Sequence, residues 1–425
     1  MKFGSCVPVV ACVLAAHAAV AQNYGNHGEE PVVTIIVNEN EADAADVQHE
    51  LLQNAPTNPK DNGLPRFAIV GKDRLFYLGI GAQMQGEAVF DFGDEMPSAL
   101  DFMPAALTAP APGDGSSLRF ALQSSSIYLN FVAMPGTENK VSLFFKGKFN
   151  DTWGFKMSHL YAKYRGLTVG HTNSIFSDGA AMPYTIDSEG PNGSASVSMF
   201  TAYWEQDFAH GLSGGIGIDA PTGDMSAGMR NRQVSQRIPA VPVYVQYAWA
   251  GGDSHVRVSG LVRPMQYRNL VAEKNHTPVG LGVQLSGMAQ VGGPLTVYYD
   301  ATYGRGIGTY IQDDNGLALD ATSCTDDSGD MKLTRTLGVT GGLGLALSKK
   351  VSATMCYSHV SNYLADGARL TGDEYRYGDY VAANVVYTFS KFVAMGVEYD
   401  YGHRRGFDDS SLHGSRVQCQ LAVTF

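Results

Sequence analysis

The sequence predicts an all-β chain: a transmembrane antiparallel up-and-down β-barrel of sixteen strands. Three observations carry this. Apolar and polar residues alternate with a period of two from Arg74 to the last residue. Short and long connections follow one another in strict order. No run reaches the roughly 18 apolar residues of a spanning helix. The period is plain at the end, where Val417, Cys419, Leu421, Val423 and Phe425 alternate with Arg416, Gln418, Gln420, Ala422 and Thr424.

The first residues stand outside this pattern. Residues 1–21 read as a secretory signal peptide, with Lys2, the apolar core "VPVVACVLAA" and the small-residue site Ala19-Val20-Ala21. Residues 22–70 read as a periplasmic extension and linker. "VNENEADAADVQHELLQNA" is acidic and Ala-rich, and "PTNPKDNGLP" is a linker. This is a short helix or tail, too small for a folded plug. The barrel is assigned to residues 71–425. Cys324, Cys356 and Cys419 make neither a disulfide framework nor a zinc set. A net charge of −11 argues against nucleic-acid binding, and 49 Gly, 22 Tyr and 19 Phe suit exported β structure.

The strands fall near 74–92, 118–133, 140–150, 154–165, 167–173, 196–209, 211–220, 241–250, 254–264, 278–290, 293–304, 333–348, 350–360, 379–389, 391–402 and 415–425. "FYLGIGAQMQGEAVFDF" places Phe76, Leu78, Ile80, Met84, Phe90 and Phe92 on one side and Tyr77, Gln83, Gln85, Glu87 and Asp91 on the other. The second and fourth segments lose phase, so each requires a bulge. Short turns are "PGTENK", "RG", "AHG", "AGGD", "VGG", "SKK" and "SK". Long loops cover 93–117, 174–195, 221–240, 265–277, 305–332, 361–378 and 403–414, with a brief exception at 151–153.

A soluble sandwich also alternates, but the apolar faces of the clearly phased strands carry no charge and end in aromatics. Phe76, Trp249, Phe389 and Phe425 lie near the short turns; Phe92, Tyr303, Tyr357 and Tyr401 lie near the long loops. That is an outward lipid band with two aromatic girdles around a wet interior. In hydrocarbon only a closed barrel satisfies the backbone of such strands, so the final strand must pair with the first.

One stretch resembles a known family. "FKMSHLYAKYRGLTVGHTNSIFSDG" (155–179) carries the pattern GLxxGxTxSxFxD, and "DSEGPNG" (187–193) follows it. Both are similar to the DcaP-like trimeric porins of the bacterial outer membrane. The resemblance implies a sixteen-stranded homotrimer in outer-membrane lipid that passes small hydrophilic, often anionic, solutes by diffusion. It also implies that the third long loop folds into the lumen. Here the extension is short and lacks heptads, and His171 stands where the family has an amide.

Selectivity in such a pore resides in charged side chains. Lys146, Lys148, Lys156, Lys163, Arg165, Arg257, Arg263 and Arg416 fall on the polar phase and are the expected pore-lining bases. The competing role is neutralisation of Glu87, Asp91, Glu205, Asp207, Asp219, Asp300, Glu398 and Asp400. Ser177, Asp178, Asp187 and Glu189 are the expected constriction-loop residues. The aspartates of the sixth long loop, Asp313, Asp314, Asp326 and Asp327, are a weak calcium candidate without EF-hand spacing; solvated charge is the plainer reading. No metal or cofactor is otherwise expected. Neither GxSxG nor HExxH occurs, and "TGGLGLAL" continues as strand rather than opening a helix, so no enzyme is expected. A structural or adhesive barrel acting through its loops is the alternative function. A gated transporter is disfavoured by size and by the missing plug.

Overall fold

A computed structural model describes residues 34–37, 44–58, 67–71, 74–150, 152–368, 370 and 372–425. The expected signal peptide lies outside the described residues. The barrel strands are β1 (Phe76–Gly93), β2 (Ser116–Ala121 and Ser126–Ala133), β3 (Val141–Phe149), β4 (Phe155–Tyr164), β5 (Leu167–Asn173), β6 (Ser198–Asp207), β7 (Leu212–Asp219), β8 (Val241–Trp249), β9 (Ser254–Pro264), β10 (Val279–Gln290), β11 (Leu295–Arg305), β12 (Arg335–Ser348), β13 (Val351–Tyr363), β14 (Tyr375–Ser390), β15 (Val393–Gly406) and β16 (Ser411–Thr424).

Each strand pairs antiparallel with the next, and β16 returns to β1 from Gly414 opposite Gly93 to Thr424 opposite Gln83. The ring is closed. Phe425 exchanges both backbone bonds with Ala82. Below that point β1 outlasts β16, and residues Phe67–Val70 take over its edge, Phe67 opposite Ile80. Residues Thr34–Val37 add a further parallel strand. No edge of β1 is left unpaired there.

The phase losses are bulges, as expected. β2 breaks at 122–125, its two halves pairing with separate parts of β1. In β4 the extra residue is Ser158, between Met157 opposite Gly147 and His159 opposite Lys146. The bulge puts both Lys156 and Lys163 inward although one number is even and the other odd. The short turn "RG" is a two-residue hairpin: Arg165 and Gly166 both have positive φ, 48° and 79°, as the primed hairpin turn requires.

The apolar stripes face outward. Val243, Val245, Tyr247 and Trp249 of β8 are all exposed, while Tyr244 between them is buried. Among the expected girdle residues, Phe76, Trp249, Phe425, Phe92, Tyr303 and Tyr357 are exposed on that face. With its edges paired and its greasy face outward, the chain is an outer-membrane-type barrel.

Two expectations are corrected. The eighth loop spans only 407–410, because β15 and β16 continue as paired strands beyond their apolar stretch. Apolar alternation stops where lipid stops, but backbone pairing does not. The sixth long loop is solvated charge only in part: Asp326 and Asp327 are exposed, whereas Asp313, Asp314 and Asp320 are buried. Ile307, Tyr310, Ile311 and Leu319 pack with Phe176, Ala195 and Val197 of the third loop in one buried cluster. Phe102 and Leu107 of the first loop are also buried, beside Tyr380. Three loops therefore interlock inside the ring.

Candidate functional site: a lysine-lined cleft under three interlocked loops

The third loop is bound to the barrel wall along its length. Asp178 accepts from His255 Nε2 at 2.8 Å and from the Ser286 hydroxyl at 2.7 Å. Burial pushes its carboxyl up, but the His255 bond and the Arg257 charge overcome this and hold it below its ordinary value. Asp187, fully buried, accepts from the Phe102 and Gly190 N–H groups, both at 2.8 Å, and from the Tyr380 hydroxyl at 3.0 Å. Glu398 of β15 accepts from the N–H groups of Ile186 and Asp187. At the far end of the loop, Gly193 lies against β12 and β13. A Cβ there would sit 2.3 Å from the His359 carbonyl, and a Cβ on Gly338 would sit 2.2 Å from the Gly193 carbonyl. Only a bare backbone fits on either side.

Between this loop and the wall of β3 and β4 runs a cleft of about 290 Å³. Lys146, Lys148 and Lys156 line one side, and Tyr184–Ile186, Ser188, Glu189 and Ser196–Ser198 line the other. Gln83, Gln85 and Gln420 from β1 and β16, with Gln312 and Asn315 from the sixth loop, complete a polar lining. The lysines meet because β3 and β4 are neighbours and Lys148 stands directly opposite Lys156.

The expected bases thus divide. Lys146, Lys148 and Lys156 border the cleft. Lys163 donates to the Gln53 carbonyl at 3.3 Å, and Arg165 sits in the periplasmic turn bonded to Asn139 at 2.8 Å. Arg257, Arg263 and Arg416 face inward but are buried structural ties, a correction to their expected pore-lining place. Arg257 stacks 3.6 Å over the Tyr244 ring and donates to the Ile175 carbonyl. Arg263 pairs with Asp320 at 2.7 Å, and Arg416 with Asp91 at 2.7 Å.

The expected constriction residues divide too. Glu189 borders the cleft, whereas Ser177, Asp178 and Asp187 hold the loop in place. Burial, and the nearby Asp101, Asp187 and Asp313, push the Glu189 carboxyl up to about 8, against the pull of Lys148. The four calcium candidates do not converge. Asp313 and Asp314 are buried, bonded to Tyr375 and Asn362, while Asp326 and Asp327 lie at an exposed bend where Asp327 pairs with Arg230. No group of three or more metal-binding side chains occurs among the described residues.

The expected short N-terminal helix is present, but sequence reasoning missed where it docks and that the chain after it reaches the cleft. Helix α1 (Ala44–Asn54) buries Val47 and Leu51 against Ala68, Val70, Tyr77 and Val132 at the periplasmic mouth. Asn54 bonds Asn130, and the Tyr161 hydroxyl donates to the Asn54 carbonyl at 2.5 Å. The chain then climbs into the lumen, where Asn58 borders the cleft and donates to Met182 Sδ of the third loop. The apolar pair Val47 and Leu51, one helical turn apart, was the available clue.

Among solved structures the chain is similar to the outer membrane channel DcaP of Acinetobacter baumannii, with a TM-score of 0.72 over 82% of this chain and 97% of that one. The chain shares that channel's fold. Identity to that channel is 18%, so the likeness is one of fold. OmpT, an outer membrane protein of Vibrio cholerae, follows with a TM-score of 0.53, 11% identity and coverage of 84% and 99%. No family model and no curated protein matches the chain. The likeness therefore rests on architecture, and the cleft is described from this chain's own residues.

Proposed function

We propose that the chain is a passive outer-membrane porin whose constriction is the cleft between the lysines of β3 and β4 and the third loop. The observation carrying this is a polar cleft of about 290 Å³ with Lys146, Lys148 and Lys156 on one side and Glu189 on the other. Water fills such a lining, and solutes cross without an energy source. Small hydrophilic anions are favoured. Glu189, raised to about 8, is largely neutral at pH 7 and leaves the three cations dominant. Inward packing of the first, third and sixth loops favours passage over an adhesive role, because those loops are committed to the lumen. We infer a homotrimer, supported by the bare apolar outer face of β2, where Leu118 and Phe120 are 60% and 76% exposed.

Planar-bilayer recording on the purified protein is the test. The reading requires stable ohmic steps and a reversal potential shifted toward anions in a salt gradient. A folded barrel without conductance overturns it.

A further inference from the structure

A hydrogen-bonded relay that transport does not use lies on the outer wall, at the extracellular ends of β13–β16. His359 and Ser361 are two residues apart on β13 and share its outward phase, His359 partly buried and Ser361 8% exposed beneath its neighbours. Asp379 of β14 stands opposite His359, and His403 of β15 stands opposite Asp379. His359 Nδ1 is 2.9 Å from Asp379 Oδ1, and its Nε2 is 2.6 Å from Ser361 Oγ. The bonding pattern assigns the imidazole proton to Nδ1, facing the carboxylate, and leaves Nε2 to accept the Ser361 proton. This is the order nucleophile, base, orienting carboxylate. Asp379 also accepts the Tyr357 hydroxyl at 2.7 Å and His403 Nδ1 at 3.2 Å. His403 Nε2 in turn reaches Ser411 Oγ at 3.1 Å. That second branch is longer at both bonds, so Ser361 is the better-placed nucleophile.

Position selects the substrate. The relay faces away from the lumen, among Tyr357, Tyr363 and Tyr377 at the upper girdle; Tyr357 and Tyr363 are 49% and 45% exposed. Aromatic girdles lie at headgroup level. The acyl ester carbonyls of a glycerolipid sit at that same boundary, directly beside the wall.

We propose that Ser361, His359 and Asp379 form a hydrolytic site for acyl esters of membrane glycerolipids. Ser361 Oγ attacks the ester carbonyl carbon as its proton passes to His359 Nε2. The bond from that carbon to the glycerol oxygen breaks, the oxygen takes the proton from His359, and a lysolipid leaves. Water then attacks the acyl-serine carbonyl and gives a proton to His359. The acyl–Oγ bond breaks, Ser361 regains the proton, and a free fatty acid leaves. Water is the only co-reactant. Ser361 and His359 are the catalytic residues; Asp379 is a positioning residue. The site lies across the wall from the cleft and does not depend on conductance.

The test uses the full-length protein in mixed micelles of detergent and phosphatidylethanolamine with a labelled acyl chain. Fatty-acid release is measured beside labelling by a fluorophosphonate, mapped by mass spectrometry. The expected result is release with label on Ser361. Both should fall at least ~100-fold in Ser361→Ala, which keeps wild-type heat-modifiable mobility and conductance. Ser411→Ala retains release, and Asp379→Asn moves the pH profile of labelling. Release no greater than in the His359→Ala/Ser361→Ala double variant, or label on Ser411 in place of Ser361, overturns the proposal.

Discussion

Two walls of the barrel carry inward cations, and the two behave oppositely. On β3 and β4, Lys146, Lys148 and Lys156 border the cleft. Arg257 and Arg263 of β9 and Arg416 of β16 lie outside that lining, each tied to a loop or a carboxylate; exposure alone does not separate the two sets, since Lys146 is 5% exposed and Arg257 9%. Alternation decides which face a side chain takes. What covers that face is decided by loops folded over it from far along the chain. The residue types fit the two fates: a guanidinium suits a dry, multiply bonded site, and a flexible, strongly hydrated ammonium suits a wet wall.

Breaking the arginine wall gives the largest expected effect. Arg263→Ala leaves Asp320 buried and unpaired, at a cost of about 3–5 kcal/mol. Burial drives the Asp320 carboxyl up and only the Arg263 charge and hydrogen bonds hold it down. The sixth loop should become open to protease in the folded barrel, whereas Lys148→Ala should leave it protected. Equal protection in both variants erases the distinction between the walls. Next comes Asp187→Ala, which strands the Phe102 and Gly190 N–H groups and leaves the Tyr380 hydroxyl only its longer contact with Asp400 at 3.4 Å. Each unsatisfied donor costs about 1–3 kcal/mol, so the third loop should loosen and single-channel current should become noisy.

Reversing the lysine wall acts on selectivity instead of stability. Lys146→Glu, Lys148→Glu and Lys156→Glu together should turn the reversal potential toward cations with the barrel intact. pH sharpens this. Glu189 is neutral below about pH 8 and charged above it, so anion preference should weaken as pH rises from 7 to 9, and Glu189→Gln should abolish that change. Asp313 and Asp314 are pushed up by burial to about 7 and about 8. A raised carboxyl favours the neutral form in the folded state. Their stabilisation of the sixth loop is therefore full below the ordinary carboxyl value of 3.8 and lost as pH rises from there through 7 to 8. Protease sensitivity of that loop should increase over that range. The smallest effect belongs to Lys140→Ala, which removes the half-exposed pair with Glu50 at 3.0 Å. It should move α1 protection by under ~1 kcal/mol.

Much of the barrel was legible because lipid imposes a period of two on every spanning strand. The strand number, the closure of β16 on β1 and both bulges followed from it. The tops of β14–β16 were not legible, since from the headgroup level upward neither face must be apolar and residues such as His403 and Arg405 read as loop. The bases on β3 and β4 could be placed inward from phase alone. Their separation from Arg257, Arg263 and Arg416 could not, because it depends on contacts such as Arg263 with Asp320 that join distant segments. The apolar loop residues Phe102, Ile307 and Tyr310 were the overlooked evidence that two further loops turn inward.

The most direct test of the lysine wall is charge placed on it chemically during recording. With Cys324, Cys356 and Cys419, none of them in a disulfide, replaced by Ser, Lys148→Cys is exposed to a negatively charged methanethiosulfonate in a planar bilayer. The account predicts a stepwise fall in conductance with loss of anion preference, reversed by reductant. Unchanged conductance and selectivity after complete modification of that thiol would contradict it.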